Sequence, residues 1–158
     1  MRILKILLIG LLMLGCSAEK EQVYTYELSK ALEPYVYEYL NTLEKHDIKF
    51  KKQSFIVVFD ADIMKTNLVG QAKGMFNDDI VYVKINPELF GILTHKQKRH
   101  LIFHELSHDI FGIEHTQEIE LMKPSMPNPY RSFKMDIDKE IKILMKYIKK
   151  WKNKETQN

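Results

Sequence analysis

Residues 104 to 115 read HELSHDIFGIEH, a run whose side chains can hold a metal and move a proton. His104 and His108 stand four apart with Glu105 beside the first, the HExxH spacing that offers two imidazoles to one cation when it lies on a helix. A helix turns by about 100° per residue, so positions i and i+4 differ by only about 40° and both rings reach the same point. Imidazole nitrogen suits zinc, and Glu105, one step round the helix, is placed to take a proton from a water activated there. A catalytic zinc takes three protein groups and keeps one position open. His115, just beyond Gly112, is the favoured third ligand. Glu114, Glu118 and Glu120 in the following loop, and Asp136, Asp138 and Glu140 further on, are the alternatives.

The flanking residues predict the helix that this geometry needs. Thr94 followed three residues later by Gln97 is a capping box, and Gly112 suits a left-handed helix end, so the helix is expected over residues 95 to 111. Ile102, Phe103, Leu106 and Ile110 fall on the side away from His104 and predict an apolar back that packs on the core. His100, one turn before His104, is expected as an exposed helix residue, with a supporting or alternative ligand role as its rival reading. Asp109 is expected as a solvated carboxylate, with orientation of a ligand imidazole as its rival. His46 and His95 lie in polar stretches and carry no signal.

HELSH, a glycine, a third histidine and then Leu121-Met122-Lys123-Pro124 resemble the zincin metallopeptidases, in particular the metzincin pattern HExxHxxGxxH followed by a methionine turn. This chain departs from that pattern by one extra residue before the glycine, reading HExxHxxxGxxH. It is also similar to small bacterial metallopeptidases, often lipoproteins, that carry HELGHxxLxxxH and then IMxP. The likeness covers residues 100 to 126, with weaker similarity in the strand region before them. It implies a zinc-dependent peptide hydrolase with Zn2+ on His104, His108 and His115, Glu105 as general base and Met122 as the turn methionine. Met126 is the rival for that turn. Tyr130 is implied as an oxyanion or substrate contact, against the plainer reading of a packed loop tyrosine. The edge strand above the cleft, assigned to residues 70 to 76, is implied to pair with an extended peptide substrate.

The start of the chain bears on where such chemistry would happen. Arg2 and Lys5 precede an apolar run from Ile6 to Leu14, which fits a signal peptide over residues 1 to 15 and is short for a membrane span. Met13-Leu14-Gly15-Cys16 resembles the bacterial lipobox, which implies cleavage before Cys16, lipid on that residue and a tether over residues 16 to 21. An uncleaved anchor with an incidental cysteine is the rival. The expected place is therefore the bacterial cell envelope, membrane-held through Cys16. Cys16 is the only cysteine, so no intrachain disulfide is available to the fold.

The elements that must position the site follow from pattern. Leu28, Leu32, Tyr35, Val36, Tyr39, Leu40 and Leu43 recur at helical spacing and predict an amphipathic helix over residues 22 to 46. Residues 55 to 59 read as a buried strand, and residues 70 to 76 with 79 to 86 as a hairpin across Asn77-Asp78. Ile137, Ile141, Leu144, Met145, Ile148 and Trp151 predict a closing helix with lysines on its outer face. The fold class is then α+β: a compact zincin-like domain over residues 22 to 158, with an N-terminal helix, a small twisted mixed sheet, the zinc helix, a methionine-bearing loop and a C-terminal helix. Two of the 24 basic residues, Arg2 and Lys5, lie in the leader, leaving 22 against 21 acidic ones. That balance points away from nucleic acid, and a monomer acting on a peptide or protein is expected. Two other readings stand beside the peptidase: a non-catalytic envelope lipoprotein whose zinc is structural or vestigial, and an assembly or inhibitor lipoprotein with no metal.

Overall fold

The computed structural model describes residues 26–51, 54–73, 79–124 and 133–155. Cys16 and the leader, the turn at Asn77-Asp78, Met126 and Tyr130 lie outside them. Among the described residues, four α-helices surround an open, mixed, four-stranded sheet, and the fold is α+β as expected.

The chain enters as β1 (Tyr26–Leu28), crosses through α1 (Glu33–Lys45) and returns as β2 (Ser54–Phe59), parallel to β1. β3 (Gly70–Ala72) and β4 (Ile80–Ile85) pair antiparallel, with Gly70 opposite Ile85, and β4 lies parallel to β2. The sheet order is β1-β2-β4-β3, which leaves β3 as an edge strand. Val81, Val83 and Ile85 of β4 are fully buried, whereas Ile80 is exposed, so the expected two-sided alternation holds. After β4 come α2 (Pro87–Ile92), α3 (His95–Phe111) and α4 (Ile137–Glu155).

The first helix differs from its expected span of residues 22 to 46. Pro34 lacks an N–H and its ring clashes with the carbonyl four residues back, so one helix cannot run through that position. Proline is tolerated in a first turn, where that N–H has no intrahelical partner, and there it sits in α1. Leu28 therefore packs from a strand, and Leu32 from the turn, its N–H donating to the Ser29 carbonyl at 2.7 Å. The short α2 was not expected. Its start is set by Asn86, whose side chain accepts the Glu88 and Leu89 N–H groups at 3.0 and 3.1 Å, and by Pro87 in its first turn.

α3 spans the residues that its end signals predict. The capping box between Thr94 and Gln97 is formed in both directions, and Gly112 ends the helix at φ 60° and ψ 25°. The helix packs against β3 and β4, against α1, and against α4. Phe103 meets Tyr39 edge-on with ring centroids 5.0 Å apart, and Ser107 Oγ lies 3.1 Å from the Tyr39 hydroxyl. At the outer end Arg99 donates to Glu38 of α1 and Asp138 of α4, each at 2.8 Å, which ties the three helices together. The expected apolar back is present: Ile102, Phe103, Leu106 and Ile110 are all buried. Gln97, His100, Glu105, Ser107 and Asp109 are buried as well, so the polar residues of this helix are not confined to an exposed face. No helix among the described residues is long and apolar enough to cross a membrane.

Candidate metal centre

Two turns of α3 and the loop that follows bring His104, His108 and His115 together, their ligand atoms all within 4.8 Å of one another. The Nε2 atoms of His104 and His108 are 3.0 Å apart, and those of His104 and His115 are 3.3 Å apart. Zinc with imidazole nitrogens at about 2.0–2.1 Å in tetrahedral array would hold those nitrogens about 3.3 Å from one another. The observed spacing is of that size.

Backbone carbonyls decide which ring nitrogens are free. His104 donates from Nδ1 to the Leu121 carbonyl at 2.8 Å, and His108 donates from Nδ1 to the Ile113 carbonyl. A carbonyl only accepts, so the proton of each neutral ring stays on Nδ1 and the Nε2 lone pair is left for a ligand. Burial holds both rings neutral: it presses His104 down to about 3, against the opposing Leu121 bond, and lowers His108 against the Ile113 bond. Two lone pairs then face each other across 3.0 Å with no hydrogen to share. A cation placed between them satisfies both, so the residues present fit a divalent metal.

His115 reaches this point by a defined path despite the extra residue before the glycine. Gly112 reverses the chain in a conformation that L side chains rarely adopt, and its N–H donates to the His108 carbonyl at 3.0 Å. Ile113 and Ile119 are buried and anchor the loop, and Thr116 N–H closes it on the Met122 carbonyl at 3.0 Å. His115 itself is exposed and its two partners are half-buried, so the site opens to solvent on the His115 side. The acidic alternatives for the third ligand are not part of this cluster. Asp138 pairs with Arg99, and Glu120 with Lys123 at 2.6 Å.

Glu105 lies under the edge strand. Its Oε2 accepts the Ala72 N–H at 2.8 Å, and a Cβ at Gly70 would stand 2.8 Å from its Oε1. A side chain at this position would push the Glu105 carboxylate or Leu101 aside, so the glycine lets the strand backbone approach the carboxylate that closely. Lys73 N–H donates to the Tyr82 carbonyl and Asn86 N–H to the Val69 carbonyl. That register turns the peptide groups of residues 69 and 73 toward β4 and the Ala72 N–H outward, along the open edge. Burial drives the Glu105 carboxyl up to about 7; the Ala72 N–H opposes the rise and the nearby Asp109 carboxylate adds to it. A carboxyl balanced near neutrality can both accept and return a proton.

Two helix residues sit otherwise than expected. His100 is 1 % exposed rather than on the surface. It packs on the turn at residues 120 to 122 and the ring of Phe133. Asp109 is also buried and accepts the Tyr82 N–H at 3.2 Å, so it braces β4. The i, i+4 repeats His100–His104 and Glu105–Asp109 were the signal that these side chains share inward faces. Met122 is fully buried in a 3-10 turn, Glu120–Met122, whose Leu121 carbonyl is the one that orients His104. Searches against protein-family models, curated proteins and solved structures gave no match to this chain.

Proposed function

We propose that the chain is a zinc-dependent peptidase in which His104, His108 and His115 hold the metal and Glu105 is the general base. The observation that carries the metal part is the pair of Nε2 lone pairs 3.0 Å apart, each fixed by an Nδ1–H bond to a main-chain carbonyl. No acidic side chain joins the cluster among the described residues, which leaves room for a water and a substrate group beside the three rings. Zinc, when bound, supplies Lewis acidity that makes an attacking water ionisable near neutral pH.

The remaining steps belong to the chain's own groups. Glu105 is no ligand; it takes the proton of the attacking water and passes it to the leaving amine. The Ala72 N–H holds the carboxylate in place for that transfer. The edge position of β3 supports the grip on substrate, since the outward peptide groups other than the Ala72 N–H, which Glu105 occupies, can pair with an extended peptide, as the resemblance to zincins implies. The Met13-Leu14-Gly15-Cys16 sequence supports a place at the bacterial envelope, with lipid on Cys16 as the tether.

The test compares the parent with Glu105→Gln for zinc content and for cleavage of a peptide library. The variant should keep one zinc and lose turnover by about 10²- to 10⁴-fold, the range for a positioned acid–base group. Equal cleavage by both contradicts the assigned base. Zinc in both with cleavage by neither fits the non-catalytic reading instead.

A further inference from the structure

We infer that His100 is a positioning residue for the metal site: it holds the Leu121 carbonyl, and that carbonyl in turn aims the His104 ring. The inference rests on the metal reading given above.

The Leu121 carbonyl receives two imidazole N–H groups, His100 Nε2 at 3.1 Å and His104 Nδ1 at 2.8 Å. A carbonyl oxygen has two lone pairs, so it serves both rings at once, and neither bond excludes the other. The two histidines are one helical turn apart, with ring centroids separated by 6.0 Å, and they bracket the oxygen from the same helix. Leu121 lies in the three-residue turn Glu120–Met122, where the Met122 N–H of the same peptide group donates to the Ile119 carbonyl at 2.9 Å and leaves the Leu121 oxygen directed at the two rings. His100 adds a second hold on this peptide group, on its oxygen, from inside the core. The ring tautomer of His104, and with it the direction of its Nε2 lone pair, then follows from a carbonyl already fixed before any metal arrives.

Stability alone gives little reason for a histidine here. His100 is 1 % exposed and its Nδ1 has no hydrogen-bond partner among the described residues. A buried polar atom left unsatisfied costs free energy, and an apolar side chain of similar size would avoid that cost. What such a side chain would lose is the donor to Leu121. Outer partners of metal-bound histidines act in this way, by fixing ring orientation and tautomer.

The experiment measures zinc affinity by competition with a chromophoric chelator, and the melting temperature of the metal-free protein, for the parent, His100→Leu and His100→Gln. Leucine removes the donor. Glutamine carries an amide N–H to about the position of Nε2. The expected result is a loss of zinc affinity of about 10- to 100-fold in His100→Leu, a metal-free melting temperature at or above that of the parent, and recovery to within about threefold in His100→Gln. Unchanged affinity in His100→Leu overturns the inference. So does an equal loss in both variants accompanied by a parallel fall in the metal-free melting temperature, which marks a packing role. If His100→Leu does not fold, His100→Met replaces it, and failure of both while His100→Gln folds shows that the donor to Leu121 serves folding itself and overturns the inference. A parent that takes up no zinc removes the metal reading itself, whereas a parent that binds zinc no better than His100→Leu removes this inference alone.

Discussion

α3 and α4 are neighbours of similar length, 17 and 19 residues, and both bury apolar side chains, yet among the described residues only α3 buries polar ones beside them. α4 turns Ile137, Ile141, Leu144, Met145 and Ile148 inward and leaves Lys142, Lys146, Lys149 and Lys150 in water. α3 carries Gln97, His100, Glu105, Ser107 and Asp109 into the interior, and the other buried polar residue described in the fold is Asn86. Burying a polar group is unfavourable unless it is bonded, so each of these needs a reason. Gln97 closes the helix cap and Ser107 meets Tyr39, which are duties to the fold. His100 and Glu105 are bonded to the backbone beside the histidine cluster, and Asp109 braces the strand next to it. The contrast separates a helix that buries apolar side chains alone from one that also buries polar groups around the histidine cluster.

The comparison can be broken or sharpened by substitution on each side. The largest effect on stability is expected on the packing helix. Leu144→Ala should destabilise the protein by about 2–5 kcal/mol in denaturant unfolding, as for a fully buried leucine, and should leave the zinc affinity of the folded protein within about twofold. A large affinity loss without unfolding would show that α4 also shapes the site.

The next effect lies on α3 and has the opposite sign. With the folded Glu105 carboxyl raised from 4.5 to about 7, the folded state holds its proton more tightly than the unfolded chain. That contribution is fully present below about pH 4.5 and is lost as pH rises through about 7. In chelator-treated protein, Glu105→Gln should therefore match the parent near pH 4.5 and exceed it by on the order of 2 kcal/mol above pH 8. A variant no more stable than the parent at high pH would contradict the buried cost assigned to this carboxylate. His104 works the other way: with its folded value pressed to about 3, stability falls in both proteins as pH drops below the ordinary histidine value of 6.5.

How much of this was legible in the sequence depended on how local each cause is. The bounds of α3 were readable because Thr94, Gln97 and Gly112 act on their own helix ends. α4 was readable because its apolar period has no competing signal. β1 was not, since a three-residue strand exists only through its pairing with β2, and the Pro34 boundary of α1 was lost in a periodic run of leucines and tyrosines. At the site, the pairing of His104 with His108 is a property of helix spacing alone. The arrival of His115 needed the left-handed Gly112 and the buried Ile113, and the bond from Ala72 to Glu105 joins residues 33 positions apart. The i, i+4 spacing puts His100 on the face of His104, but its burial depends on a turn that lies 21 positions further along.

X-ray absorption of the zinc-loaded protein at pH 7 tests the central claim most directly, because it counts and types the atoms around the metal. The account predicts one zinc per chain with three imidazole nitrogens at about 2.0–2.1 Å and a light-atom fourth position, and one imidazole fewer in His115→Ala. A chain that takes up no zinc, or a zinc shell without imidazole, would contradict it.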